Sequence, residues 1–206
     1  MEKSIDEIRS DFPFLDTDVI YLDNGATALT PEPAIVAMEE YFREYNANIG
    51  RGLHKATKRA SKEFEEARGK VANLINADSE ELVFTKNSTE ALNLLARGLG
   101  LEEGDKVVTT FLEHHSNLIP WQRLVEEKGI QLEIVHEHDN LIIDPSAIAS
   151  AIDEDTELVT MTHVSNAFGT RQPVKEVGKI AKEEDVLFSI DASQSVGYEP
   201  VDVKEI

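Results

Sequence analysis

The 206 residues contain no cysteine. Disulfides and thiolate metal sites are therefore excluded within this stretch. No apolar run is long enough to span a bilayer. The first residues are acidic and amphipathic and lack the apolar centre of a signal peptide. Basic residues are scarce: 20 Lys plus Arg stand against 40 Asp plus Glu, for a net charge of −20. Such a surface repels nucleic acid and anionic membranes. It suits a chain kept soluble in salt, where screening weakens self-repulsion, as in a halophilic source. No Gly-x-x-x-x-Gly-Lys-Ser/Thr or Gly-x-Gly-x-x-Gly run occurs, so neither a nucleotide P-loop nor a dinucleotide-binding turn is supported. Asn87-Ser88-Thr89 matches a glycosylation sequon, but nothing else indicates secretion, and a cytoplasmic location is expected.

What is present is a globular pattern. Apolar residues make up 41% of the chain, enough for one α/β domain with a core. Helices are predicted at Ser4 to Phe12, from Pro31 with Ile35, Met38, Phe42 and Tyr45 on one face, and along Ala60, Phe64, Ala67, Val71 and Leu74. A short strand is predicted at Ile20 to Leu22. From Glu81 strands alternate with helices. Strands are expected at 82–85, 106–110, 131–135, 158–162 and 186–190. Helices are expected at 89–99, 120–128, 145–152 and around Val174, Val177, Ile180 and Ala181. This alternation implies an α/β/α three-layer fold with a mostly parallel sheet flanked by helices.

Four polar stretches follow predicted strands: Lys86 to Glu90, Glu113 to Asn117, His163 to Gly169, and Asp191 to Gln194. In a parallel sheet these positions share one edge, where such folds bind ligands. Ser88 and Thr89 open a helix, whose N–H groups and small hydroxyls suit an anion such as phosphate; the competing reading is an ordinary cap. His114 and His115 are adjacent, so they point apart and make poor metal partners; no metal site is expected. A flat imidazole of this pair can instead stack on an aromatic ligand, or both can be solvated loop histidines. Asn166 and Gln194 are neutral hydrogen-bonders suited to a phenolic or carbonyl oxygen. Asp191 can hold a protonated ring nitrogen, or merely cap the next turn. Together these groups describe a site for a planar, phosphorylated nitrogen heterocycle, and pyridoxal 5'-phosphate fits.

Several stretches then resemble the class V aminotransferase family. They are Tyr21-Leu-Asp-Asn-Gly-Ala-Thr, Arg51-Gly-Leu-His, Phe84-Thr-Lys-Asn-Ser-Thr-Glu-Ala-Leu-Asn, Glu113-His-His-Ser-Asn-Leu-Ile-Pro-Trp, His163-Val-Ser-Asn-Ala-Phe-Gly-Thr and Asp191-Ala-Ser-Gln-Ser. Within the family they are most similar to SufS-type cysteine desulfurases, from about Ile20 to Val203. The resemblance implies a pyridoxal-phosphate transferase of fold type I. Ser88 and Thr89 would hold the phosphate, and His114 would stack on the ring. Asn166 and Gln194 would contact the 3-oxygen, and Asp191 would pair with the ring nitrogen. Asn24, Arg51 and His54 would lie near the substrate entrance or a partner subunit. Gly50 departs from the pattern, since many relatives have His before the Arg-Gly pair.

The Schiff-base lysine motif, Ser-x-His-Lys, and the nucleophilic cysteine of the family are absent from these residues. The resemblance thus implies an N-terminal portion, inactive alone. Residues 1–30 would be an entrance arm, and 31–206 a partial cofactor domain. The implied parent enzyme converts L-cysteine to L-alanine and passes persulfide sulfur to an acceptor or scaffold protein for iron-sulfur cluster assembly. It would work as a homodimer. A selenocysteine lyase or another class V lyase or aminotransferase is the alternative enzyme. A non-catalytic interaction module is the alternative of another class.

Overall fold

The computed structural model describes residues 4–136 and 140–206. The chain divides into two compact units, Met1–Lys70 and Val71–Ile206. The boundary at residue 30 read from the sequence separates an arm from a cofactor domain by role, and it stays a proposal.

The first unit is helical. Helix α1 (Ile5–Ser10) starts at a capping box, in which Ser4 and Glu7 exchange hydrogen bonds. Helix α2 (Glu32–Glu40) has a proline in its first turn and runs into a π-helical turn, Tyr41–Tyr45. Helix α3 (Lys55–Leu74) crosses the boundary between the units. Its Arg59 pairs with Glu40 and Glu44 and lies 4.1 Å from the Tyr45 ring centre. Ile20 to Leu22 does not form the predicted strand. Ile20 and Leu22 are 86% and 87% exposed, so their β propensity finds no apolar face to cover.

The second unit holds helix α4 (Ser88–Gly98) and then a strict alternation. Strand β1 (Lys106–Thr110), helix α5 (His115–Lys128), strand β2 (Gln131–Val135), helix α6 (Pro145–Ala151), strand β3 (Thr156–Thr162), helix α7 (Val174–Glu183) and strand β4 (Leu187–Asp191) follow in order. The sheet is parallel, with spatial order β2-β1-β3-β4. Alternate residues of β1 and β3 feed two cores. Val107 and Leu158 pack with Trp121 and Leu124 of α5, whereas Val108, Val159 and Met161 pack with Ile148 of α6 and Val177 of α7. Helices therefore cover both faces, as the alternation predicts. The predicted strand at 82–85 does not join this sheet, and Val83 is 76% exposed.

Helix α5 begins five residues before the predicted start at Pro120, which lies inside it. A proline there removes one helical hydrogen bond. The loss is offset by tertiary anchoring of the first turn, where Asn117 bonds Glu113 and Thr160. At the far end Gly129 closes the helix in the left-handed region, φ 76°, with its N–H bonded to Val125 O. A side chain there costs about 1 to 2 kcal/mol. Gly129→Ala should lower stability by about that amount in urea melts, the added Cβ also meeting Glu103 Cγ at 3.2 Å.

The amino edge of the sheet is structural. Lys106 is buried, and its Nζ donates to Ala151 O at 2.6 Å and to Asp153 at 2.9 Å, with Glu133 also 2.6 Å away. The carboxyl edge is where the polar stretches gather.

Candidate functional site

The strand order itself points to the site. From β1 the chain crosses outward to β2, then returns past β1 to β3 and continues to β4. The direction of winding reverses between β1 and β3. A crevice at such a switch point, outside the strand carboxyl ends, is the usual ligand site of open parallel sheets. Thr110 ends β1, Thr162 ends β3, and Asp191 ends β4 in register with Thr162.

Asp191 is buried, and its Oδ1 accepts from the Ser193 N–H at 3.0 Å and the Ser193 hydroxyl at 2.5 Å. The Ser193 hydroxyl also stands 2.8 Å from that of Ser88. This joins the end of β4 to the start of α4, 105 residues apart in sequence. Asn87 is the residue that caps α4, accepting from the Glu90 N–H at 2.9 Å. Ser88 and Thr89 therefore sit in the first turn, among the N–H groups that a helix leaves for an anion.

His114 caps α5, and its Nδ1 accepts from the Ser116 N–H at 3.1 Å and faces the Ser116 hydroxyl at 2.7 Å. Those donors to Nδ1 leave the ring proton on Nε2 in the neutral form. The ring is exposed at the carboxyl edge. Asn166 is exposed in the turn after β3, and Gln194 is half-buried in the turn after β4. Asn24 lies in the turn at 24–26, Arg51 in the loop before α3, and His54 just ahead of that helix. The His54 Nε2 stands 2.8 Å from the Thr57 hydroxyl. These last three belong to the first unit, so their entrance role stays a proposal.

Two residues of this region escape a reading of the sequence. Glu113 is buried under the crevice. Its Oε1 accepts from the Thr110 hydroxyl at 2.7 Å and the Thr162 N–H at 2.9 Å, and its Oε2 from Asn117 Nδ2 at 2.6 Å. Asn117 is itself fully buried; its Oδ1 accepts from Thr160 at 3.0 Å and from the Trp121 indole at 3.4 Å. Burial pushes the Glu113 carboxyl up to about 7 against those hydrogen bonds, and the charge of Asp191 adds to the rise. The signal in the sequence is the four-residue spacing of Glu113 and Asn117 beside a buried strand end, which puts both on one side of a helix start.

The fold and this edge define a class: a parallel α/β/α protein with a buried carboxylate and a helix N-terminus converging at the strand ends. The aminotransferase class-V family model matches residues 20–206, and the chain belongs to that family. A probable cysteine desulfurase of Methanothermobacter thermautotrophicus is 49% identical over 201 residues, which are 98% of this chain and 50% of that protein. The apo structure of a cysteine desulfurase from Thermococcus onnurineus NA1 superposes with a TM-score of 0.94 at 46% identity, covering 100% of this chain and 51% of that one. A structure described as SspA in complex with cysteine gives 0.86 at 29% identity, covering 91% and 54%. The chain thus spans about half the length of the relatives it matches.

Proposed function

We propose that this chain supplies the pyridoxal-phosphate-binding part of a cysteine desulfurase, which converts L-cysteine to L-alanine and passes on the sulfur as persulfide. The observation that carries this reading is the chain of hydrogen bonds from Ser88 through Ser193 to Asp191 at the switch-point edge. The similarity to cysteine desulfurases supports it, and the cysteine-bound neighbour supports an amino-acid substrate.

The residues present fit the cofactor. Ser88, Thr89 and the first N–H groups of α4 offer donors to a phosphate. A buried carboxylate with both Ser193 donors on Oδ1 is fixed in plane, ready to accept from a cationic ring N–H. Asp191 would keep that proton on the ring nitrogen. The exposed His114 ring would cover one ring face, with Asn166 and Gln194 donating to the 3-oxygen. Bound there, the cofactor supplies an electron-accepting ring for bond cleavage at the substrate α-carbon. Asn24, Arg51 and His54 would line the entrance. A second copy of the chain, a sulfur-acceptor protein serving iron-sulfur assembly and a cytoplasmic setting complete the proposal.

Pyridoxamine 5'-phosphate tests it directly, because its amine forms no Schiff base with surface lysines. Calorimetric titration of the 206-residue chain should give saturable binding, weakened about tenfold by Ser88→Ala. Absence of saturable binding at millimolar ligand would count against the reading.

A further inference from the structure

We propose that Glu113 is a positioning residue of this site, a polarity-specific clamp that sets where His114 presents its ring. This deepens the cofactor-site reading and rests on it for its relevance to the ring, though the clamp itself is tested independently.

The argument begins with connectivity. One carboxyl ties three elements together: the end of β1 through Thr110, the end of β3 through Thr162, and the first turn of α5 through Asn117. Those are the two strands that flank the switch point and the helix that His114 caps. His114 lies between the two clamp members in the chain. Its carbonyl accepts from the Asn117 N–H at 2.8 Å, so Asn117 holds the His114 backbone while its side chain holds Glu113.

Polarity comes next. Asn117 Oδ1 accepts from Thr160 and from Trp121. That fixes the amide orientation and obliges Nδ2 to face Glu113. In its ionised form Glu113 therefore presents an acceptor at both oxygens. The neighbours facing it from β1, β3 and α5 are the uncharged Thr110, Thr162 and Asn117, and the charged group acting on it is Asp191 at the end of β4. A buried carboxyl is an expensive way to fill space unless its acceptors are required. Here each hydrogen bond ends on an element that frames the crevice.

The clamp makes a sharp demand on substitutions. Glu113→Gln has nearly the same shape, but its amide nitrogen would face Asn117 Nδ2, donor against donor. Rotating the introduced amide moves the clash to the Thr162 N–H, and rotating Asn117 breaks the bonds from Thr160 and Trp121. Combining Glu113→Gln with Asn117→Asp reverses the polarity of the pair. The introduced glutamine's Oε1 would then accept from Thr110 and Thr162, and its Nε2 would donate to the introduced aspartate. That aspartate would still accept from Thr160 and Trp121.

The experiment compares the 206-residue chain, the single variant and the swapped pair. One readout is the imidazole ¹⁵N shifts of His114, which report the ring tautomer without any ligand. The other is pyridoxamine 5'-phosphate affinity. The wild type should show the Nε2–H form. Glu113→Gln should shift His114 toward mixed tautomers and weaken binding about tenfold. The swap should restore the wild-type shifts and bring affinity back to within about threefold. Unchanged His114 shifts in Glu113→Gln would overturn the clamp, as would a swap that restores neither readout. Should the single variant fail to fold, the swap decides: a folded chain with wild-type His114 shifts supports the clamp, and an unfolded one overturns it. Should pyridoxamine 5'-phosphate fail to bind the wild type, the cofactor reading falls while the His114 shifts still judge the clamp.

Discussion

Between pH 5.5 and 8 the chain is expected to lose about 2 kcal/mol of stability relative to its Glu113→Gln variant. The Glu113 carboxyl stands at about 7 in the folded chain against an ordinary 4.5, because burial disfavours its charge. In the window between those values the unfolded chain has released the proton and the folded chain keeps it. Rising pH therefore favours the unfolded state, and the loss is complete only above the folded value. Over the whole window the shift corresponds to about 3 kcal/mol. Most ion-paired or hydrogen-bonded carboxylates act in the opposite sense, through depressed values that favour folding above the acid range. The comparison with a non-titrating variant cancels their contribution. Urea melts at fixed ionic strength measure the difference, and starting at pH 5.5 stays clear of the isoelectric point near 4.6. Two curves that remain parallel across this range would show that Glu113 does not titrate there.

The second large effect concerns turnover. In a protein joining this chain to the remaining half of its relatives' length, Asp191→Asn should retain cofactor but lose turnover about a hundredfold or more. Asn keeps an oxygen for the two Ser193 donors and is close in shape, so the site should persist. It lacks the charge that would hold a proton on the ring nitrogen. The defect should appear in kcat, with pyridoxamine 5'-phosphate binding changed far less. Alanine production near the parent rate would remove Asp191 from that role.

Much of this architecture can be read from residue pattern. The strands at 106–110 and 131–135 stand where β-branched runs alternate with helical periods. Gly129 marks the end of α5, and Asp191 closes β4, as a carboxylate at a strand end should. The failures share a cause. Ile20 to Leu22 and 82–85 carry β-forming residues, but a strand also needs a partner, which local sequence does not specify. The start of α5 is hidden because Pro120 looks like a helix opening, whereas the first turn is held by His114 and by the buried amide of Asn117. Glu113 resembles any loop acid until the fold brings Thr162 to it across 49 residues. His114 and Asp191 stand at strand ends as the pattern predicts, whereas Ser88 and Thr89 follow a segment that forms no strand and are placed by the helix start alone. Ser193, which links Ser88 to Asp191, is visible in the sequence only as a neighbour.

The indole of Trp121 is the chain's one tryptophan and donates to the same Asn117 oxygen that receives Thr160. The buried amide thus stands between a fluorophore and the carboxyl that changes charge near neutral pH. Indole emission is sensitive to the field along its ring. The molecule consequently carries a built-in optical gauge: its ultraviolet emission would follow the charge beneath the crevice with no label attached, and Glu113→Gln would silence that response while leaving Trp121 in place.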